Sequence, residues 1–229
     1  MSREAILGAI RRGLRRGALP EDQAMALRAR LAAHPRHLIP ARSRLPRPAQ
    51  VALFVYNVEK EFGTVARVAE PQAVPGAVID YLAAQNLPAI AVMAPHPQLQ
   101  ALPWAEHPLL AIRQGRAEAT DLVSVQHGYA GIAESGTLLL PGGPQRPVTL
   151  NVLCDTAIVI LSTSRIVGAY EEAWDWLRGD CGNDLPRNVM LVTGPSRSAD
   201  IESVLELGAH GARRLHVLLI DDDPAALGA

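Results

Sequence analysis

The chain has 229 residues, of which 48% are hydrophobic and 4% aromatic, and its formal net charge is −1. This length fits one α/β domain, or one domain with an N-terminal appendage, and its aliphatic side chains can fill a sizeable core. No apolar run approaches the roughly 18 residues that span a bilayer, and no signal-peptide core is evident, so we predict a cytoplasmic protein with no membrane span.

The charge is distributed unevenly along the chain. Residues 1–48 carry eleven arginines against Glu4, Glu21 and Asp22, whereas residues 49–229 carry twenty acidic and eleven basic side chains. A basic segment can mark a nucleic-acid contact, but this one lacks the interleaved aromatic residues of single-strand binders. We therefore predict no nucleic-acid partner and interpret the segment as an arm that docks on an acidic surface.

The two cysteines, Cys154 and Cys181, limit the metal chemistry of the chain. No CxxC motif or Cys/His zinc spacing is present, and no HxxxH or HxH pair indicates a metal site. The four thiolates that usually hold an iron–sulfur cluster are not available in one chain. The sequence thus predicts no metal site and two reduced thiols.

The N-terminal segment predicts two helices and a linker. Apolar residues at helical spacing predict a helix over 2–16, with Ser2 as its N-cap, and a second helix over 21–33. Residues 34–48 hold four prolines and four arginines without a period, which is typical of a linker. We therefore divide the chain into a helical arm with its linker, 1–48, and an α/β domain, 49–229.

From residue 49 onward, strand-like and helical segments alternate. This alternation predicts a mostly parallel sheet with helices on both faces. The unbroken apolar run at 157–161 is typical of a central strand. The predicted strands are 51–56, 89–93, 122–125, 137–140, 157–161, 189–192 and 215–220, and the predicted helices are 73–85, 170–178 and 198–207.

A first loop rich in glycine and hydroxyl groups lies at 127–137. Loops at the carboxyl ends of parallel strands are where α/β sheets bind ligands. Gly131 and Gly136 permit a ligand to approach the backbone, and Ser135 and Thr137 supply hydroxyls. Glu134 is the candidate catalytic residue, as a base or nucleophile. The alternative is that Glu134 only holds neighbouring backbone N–H groups.

A second such loop, at 193–202, follows the strand predicted at 189–192. A helix beginning at Ser198 would present free N–H groups and a partial positive charge to an anion. Ser196 and Arg197 would add a hydroxyl and a guanidinium, which predicts a small carboxylate or phosphate as ligand. The alternative is that the serines cap the helix and Arg197 pairs with a local carboxylate. The predicted ligand-binding residues here are Thr193, Gly194, Ser196, Arg197, Asp200 and His210.

The residues of these two loops resemble the lactate utilization protein C family. The resemblance is carried by 132–138 and by Thr-Gly-Pro-Ser-Arg-Ser-Ala-Asp-Ile-Glu at 193–202, and it extends to 207–211, 215–217 and the N-terminal 2–7. It implies an α/β fold similar to the ribose-phosphate isomerase and CoA-transferase-like group.

The resemblance also implies a function. The family takes part in oxidising L-lactate to pyruvate within an electron transfer complex, together with two iron–sulfur proteins that hold the clusters. It leaves open whether this chain is itself catalytic. One alternative is a non-catalytic assembly subunit whose basic arm docks the iron–sulfur partners. Another, from fold analogy, is a stand-alone enzyme acting on a sugar phosphate or acyl-CoA.

Overall fold

The computed structural model describes residues 2–15, 17–182, 184–199 and 205–227. The chain divides into two compact units, Met1–Leu38 and Ile39–Ala229. Part of the predicted linker, 39–48, therefore lies in the second unit. The division of the chain at residue 48, into an arm with its linker and an α/β domain, stays a prediction.

Within the described residues the secondary structure is as follows. The helices are α1 (Arg3–Gly13), α2 (Glu21–Ala33), α3 (Arg47–Lys60), α4 (Val74–Ala84), α5 (Pro97–Gln100), α6 (Thr149–Val152), α7 (Tyr170–Cys181) and α8 (Pro224–Leu227). The strands are β1 (Thr64–Val68), β2 (Ile90–Met93), β3 (Ala111–Gln114), β4 (Val123–His127), β5 (Ala130–Ile132), β6 (Thr137–Pro141), β7 (Thr156–Ser162), β8 (Ile166–Val167), β9 (Val189–Thr193), β10 (Arg197–Ala199), β11 (Leu205–Leu207) and β12 (Arg214–Ile220).

The first unit contains the two predicted helices, α1 and α2. The Ser2 hydroxyl accepts a hydrogen bond from the Ala5 N–H at 3.3 Å, so Ser2 caps α1 as predicted. Neither helix has a buried residue. Across the described residues of the whole chain, no helix has both the length and the apolar character that crossing a bilayer requires.

The second unit is built on a six-stranded sheet in the order β1-β12-β7-β4-β2-β3. All of its strand pairs are parallel, and Val217 of β12 lies opposite Val159 of β7. Both of these valines are fully buried, because hydrophobic cores cover the two faces of the sheet. The predicted α/β fold with a mostly parallel sheet is confirmed, as is the central position of the strand at 157–161.

The strand predicted at 51–56 is wrong, because these residues lie within α3. Val51, Phe54 and Val58 are buried, and their spacing follows one helical face onto the core. Val51–Tyr56 is rich in strand-forming residues, but the residues on either side continue the helical period. Packing of this face against the sheet therefore overrides local strand propensity.

A second, four-stranded sheet has the order β8-β5-β6-β9. In it β6 runs antiparallel to both β5 and β9. The two predicted ligand loops therefore adjoin this sheet. The first loop does begin at His127, the carboxyl end of β4 in the parallel sheet, and its turn lies between β5 and β6. The second loop follows β9, so the expectation that it follows a strand of the parallel sheet is wrong.

The helix predicted at 198–207 is also wrong for the residues that the structure describes. Here β10 and β11 pair in antiparallel fashion, with Arg197 opposite Leu207. The Ser196 N–H donates to the Ala212 carbonyl at 2.8 Å, and the Gly208 N–H donates to the Ser196 carbonyl at 3.0 Å. The backbone before β10 is thus already paired across the hairpin, so no helix begins at Ser198.

Candidate functional site

Glu134, the predicted catalytic residue, lies in the turn between β5 and β6 and is half-buried. Its carboxylate accepts hydrogen bonds from the Ser43 hydroxyl at 2.8 Å and from the Tyr170 N–H at 3.3 Å. Tyr170 is the first residue of α7, so the carboxylate satisfies a free helix N–H and complements the helix dipole. Each oxygen has a protein donor, which favours the interpretation of Glu134 as a positioning residue.

Gly131 and Gly136, in and next to this turn, face α3. A Cβ on Gly131 would lie 2.8 Å from Phe54, and a Cβ on Gly136 would lie 2.5 Å from the Val58 nitrogen. Gly136 also has a φ of +66°, in the left-handed region. Tight packing against α3 therefore accounts for glycine at both positions, and the predicted ligand contact there stays untested.

Four hydroxyl groups link the two predicted loops. The Thr137 Oγ1 lies 2.8 Å from Ser135 Oγ, 2.8 Å from the Tyr170 hydroxyl and 2.7 Å from Thr193 Oγ1. The last contact crosses from β6 to β9, where Thr137 and Thr193 are paired. The structure thus brings together three predicted residues and adds Tyr170, which the sequence analysis missed because it lies in a predicted helix.

Replacing Thr137 with valine is expected to lower the free energy of unfolding by about 1–2 kcal/mol. Valine has nearly the same shape, but it removes the hydroxyl at the centre of the cluster, and Thr137 is fully buried. Chemical unfolding measures the change. Thr193→Val, at the exposed end of the cluster, serves as the matched control, and an equal loss in both variants would contradict a central role for Thr137.

The second loop contacts the end of α3. A Cβ on Gly194 would lie 2.2 Å from the Glu61 carbonyl oxygen, and Gly194 has a φ of +71°. The Arg197 guanidinium lies 3.4 Å from the centroid of the Phe62 ring. Cation–π contact therefore holds Arg197 over Phe62, and within the described ranges no carboxylate forms a salt bridge with it. Asp200 lies outside the described residues.

A cavity of about 260 Å³ lies beside this loop. Ala157 and Leu215, each the second residue of a parallel strand, form part of its wall, so it lies toward the amino end of the parallel sheet. The His210 N–H donates to the Ser196 hydroxyl at 3.2 Å. The predicted ligand residues that line the cavity are Thr193, Gly194, Ser196, Arg197 and His210.

The carboxyl end of the parallel sheet carries a different cluster, which the sequence analysis missed. The rings of His96 and His127 are stacked, with centroids 3.8 Å apart and planes at 14°. Arg146 Nη2 lies 2.9 Å from His96 Nε2 and 3.1 Å from His127 Nδ1. We refer to these three residues as the histidine–arginine cluster. The position of His127 at the end of a buried strand is the signal that could have identified it.

Both histidines of the cluster are held neutral. Burial and the neighbouring charge of Arg146 lower the pKa of His96 to about 4. Burial, His96, Arg146 and Arg165 lower the pKa of His127 to about 3. Both rings are therefore uncharged near pH 7, so each offers one N–H donor and one acceptor nitrogen.

The acidic run Asp221–Asp223 after β12 is paired with protein groups. Asp221 accepts a bifurcated hydrogen bond from Arg67 Nε and a second bond from Arg67 Nη2, and Asp223 accepts one from Arg47 Nε. Asp222 accepts from the Ser164 N–H at 2.9 Å. No group of three or more metal-ligating side chains occurs in the part of the chain that the structure describes.

The sequence matches a known protein family and is similar to several known proteins. A family model described as the LUD domain matches residues 51–220. Lactate utilization protein C 1 of Bacillus mycoides is 34% identical over 108 residues, covering 46% of this chain and 46% of its own. Lactate utilization protein C of Bacillus subtilis is 36% identical over 93 residues, covering 40% of this chain and 39% of its own. The chain thus spans less than half the length of these curated relatives.

Two further proteins are similar to this chain. An uncharacterized protein of Neisseria meningitidis serogroup B is 39% identical over 95 residues, covering 41% of this chain and 40% of its own. The crystal structure of a DUF162 family protein from Deinococcus radiodurans has a TM-score of 0.58 at 18% identity, covering 77% of this chain and 99% of its own. At that identity the likeness shows the fold alone. The resemblance to the lactate utilization protein C family is confirmed.

Proposed function

Since the chain belongs to the LUD domain family, we propose that it is a component of a lactate utilization system that takes part in oxidising L-lactate to pyruvate. The observation that carries the proposal is its similarity to lactate utilization protein C from two Bacillus species. The match covers less than half of each relative, so lactate oxidation by the whole protein is itself part of what we propose.

The electrons of this reaction are proposed to leave through iron–sulfur partner proteins. Oxidation of L-lactate to pyruvate releases two electrons and two protons, which need an acceptor. The chain has only two cysteines, fewer than the four thiolates that usually hold a cluster. Cys154 is buried, and burial raises the pKa of its thiol to about 11, which disfavours the thiolate that a metal binds.

A small carboxylate or phosphate is the proposed ligand of the cavity beside the second loop. The Arg197 guanidinium lies over the Phe62 ring and lines this cavity, and its fork of N–H donors suits contact with an anion. Ser196 would add a hydroxyl, and Thr193 and His210 line the same space. Glu134 is proposed to act by positioning α7, because both of its oxygens accept protein hydrogen bonds.

Reconstitution tests this proposal. We expect L-lactate-dependent reduction of an artificial dye when the chain is combined with its two iron–sulfur partners, and we expect Arg197→Ala to reduce the rate at least about ten-fold by removing a charged anion contact. Arg187→Ala, at an exposed arginine before β9, is the matched control. Equal rates of L-lactate-dependent dye reduction with and without the chain would contradict the proposal.

A variant at Glu134 separates chemistry from positioning in the same assay. Glu134→Gln keeps an oxygen that can accept from the Tyr170 N–H but cannot serve as a base. A rate close to wild type supports the positioning role. Loss of the rate with unchanged stability would instead favour Glu134 as the base. Turnover of a sugar phosphate or acyl-CoA by the chain alone would support the stand-alone enzyme.

The arm favours a second candidate function, a subunit that docks its partners. Ile6, Ile10 and Leu14 recur every fourth residue and are 46%, 51% and 58% exposed. Exposed apolar side chains in a row on one helix face are typical of a protein-binding helix. If the chain is an assembly subunit, Ile6→Ser with Ile10→Ser abolishes capture of the iron–sulfur proteins, whereas Arg197→Ala leaves dye reduction unchanged.

A further inference from the structure

A crevice of about 390 Å³ lies at the carboxyl ends of the parallel strands β4, β7 and β12. His127, Ser162 and Ile220, the last residues of these three strands, line it. This end of a parallel sheet is where α/β proteins bind small molecules, and the volume falls in the range of such sites. The crevice is separate from the cavity beside the second loop, which lies toward the amino end of the sheet.

The crevice has an apolar side and a polar side. Leu99 and Leu102 are buried in its wall, together with Pro71 and Pro103. The polar groups come mainly from the ends of the strands and the residues that follow them. A few polar groups within a mostly apolar wall are typical of a site that orients one small ligand.

Arg146 fixes the proton positions on the histidine–arginine cluster. A guanidinium nitrogen can only donate, so Arg146 Nη2 donates to His96 Nε2 and to His127 Nδ1. These two ring nitrogens must therefore be unprotonated. In the neutral rings the protons lie on His127 Nε2 and His96 Nδ1.

Of the two rings that carry these N–H donors, that of His127 lines the crevice. His96 Nδ1 is buried and, among the described residues, has no hydrogen-bond partner. His127, by contrast, is only half-buried. Among the described residues Arg146 forms no salt bridge, and Asp180 is a carboxylate whose charge acts on it from a greater distance. The positive charge of Arg146, next to the His127 ring, strengthens the His127 donor.

Asp222, at the rim of the crevice, sets the orientation of a ligand. Its carboxylate accepts from the Ser164 N–H at 2.9 Å and from the Ser164 hydroxyl at 2.7 Å, and Thr163 Oγ1 lies 3.1 Å away. Burial alone would raise the pKa of Asp222, but hydrogen bonds from Ser164, Ser162 and Thr163 lower it, so the group is charged. An anionic group is therefore favoured near His127 and disfavoured near Asp222, where a hydroxyl donor fits.

We propose that this crevice binds a small hydroxy carboxylate. One carboxylate oxygen accepts the hydrogen bond from His127 Nε2–H, backed by Arg146, and the hydroxyl lies toward Ser162 and Asp222. Because Nε2 carries a proton, His127 acts as a hydrogen-bond donor to the ligand and not as a base. The inference deepens the proposed function and rests on it for the identity of the acid, since L-lactate belongs to this class.

Binding of L-lactate to the full chain, measured by calorimetry, tests the site. His127→Phe keeps a ring stacked on His96 but removes the donor, and we expect it to weaken L-lactate binding at least about ten-fold. His216→Phe is the matched control, because His216 is also buried and stacked on a ring, that of Tyr81, away from the crevice. If His127→Phe binds L-lactate as the wild type does, the inference is overturned. If Arg197→Ala abolishes L-lactate binding and His127→Phe does not, the acid occupies the cavity beside the second loop, and the inference is likewise overturned.

Two measurements on the unaltered chain do not depend on how the variants fold. Propionate, which lacks the hydroxyl, and L-lactamide, which lacks the charge, should each bind at least about ten-fold more weakly than L-lactate. Nitrogen NMR at pH 7 should find His127 protonated at Nε2, and protonation at Nδ1 would contradict the proposed donor.

The site and the proposed function can fail separately. If L-lactate binds here but the reconstituted system does not oxidise it, the site stands and the proposed function fails. If oxidation occurs but His127→Phe binds normally, the site fails alone.

Discussion

Replacing Gly136 with alanine is expected to lower the free energy of unfolding by about 3 kcal/mol or more. A Cβ at this position would lie 2.5 Å from the Val58 nitrogen and 2.6 Å from the Asn57 carbonyl carbon, both of which belong to the backbone of α3. The residue also has a φ of +66°, which costs an L-amino acid about 1–2 kcal/mol. Because backbone cannot rotate away as a side chain can, α3 would have to move off the turn.

That movement would also break the bond between α3 and the first loop. Asn57 Nδ2 donates to the Ala133 carbonyl at 2.8 Å, which ties the helix to the turn that holds Glu134. We therefore expect Gly136→Ala to reduce dye reduction in the reconstituted system as well as stability. Loss of activity in this variant would report disturbed positioning and not a contact with substrate.

Gly179→Ala is the matched control for this prediction. Gly179 lies within α7, and a Cβ there would meet nothing within 4 Å. Alanine at an exposed helical position should raise the free energy of unfolding by up to about 1 kcal/mol. Urea unfolding of both variants gives the comparison. A wild-type midpoint for Gly136→Ala would mean that α3 does not pack on the turn.

Acidification from pH 7 to pH 5 is expected to lower the free energy of unfolding by about 4 kcal/mol. Burial lowers the pKa of His216 to about 4, and the pKa values of His96 and His127 are lowered to about 4 and about 3. In the unfolded chain these side chains titrate near their ordinary pKa of about 6.5.

The sign follows from which state binds the protons. Between pH 6.5 and the lowered pKa values the unfolded chain takes up protons that the folded protein does not, so stability falls as the pH falls. Each histidine contributes a slope of about 1.4 kcal/mol per pH unit once the pH is well below 6.5. The contribution of the half-buried His127 is the smallest, because solvent reaches part of its ring. Above pH 7 these groups contribute no further change.

Chemical unfolding at a series of pH values measures this effect. His216→Phe should remove about half of the dependence between pH 7 and pH 5, because His216 and His96, the two buried histidines, carry most of it. His37→Gln, at an exposed position of the N-terminal unit, should leave it unchanged. A midpoint that stays constant from pH 7 to pH 5 would show that the three histidines are not buried as neutral rings.

The parallel sheet could be predicted from the sequence because its strands carry local signals. The run at 157–161 is apolar without interruption, as a strand covered on both faces requires, and it lies within β7 near the centre of the sheet. The helices α1, α2, α4 and α7 have boundaries close to the predicted ones because capping residues and helical periodicity are also local.

The errors arose where a non-local contact outweighs the local signal. Val51 to Tyr56 has strand-forming side chains, but the face that includes Val51 and Phe54 packs on the sheet as a helix. Leu205 to Leu207 fits a helical period, but its backbone pairs with residues before the loop. For Val51 to Tyr56 the deciding partner is a sheet whose strands lie far along the chain. For Leu205 to Leu207 it is the facing strand of a hairpin, Arg197–Ala199. In both segments the partner lies outside the segment, so periodicity within the segment cannot reveal it.

The sequence by itself determined the α/β class, the positions of the central strands and the family resemblance, because each depends on the order of residues within a short window. Only the tertiary structure decided which polar groups meet. His96 and Arg146 are 50 residues apart, and Thr137 and Thr193 are 56 residues apart, yet each pair lies within hydrogen-bond distance. The pairing of strands and the packing of loops at the sheet ends create these contacts, and with them the half-buried charge of Arg146 and the donor on His127.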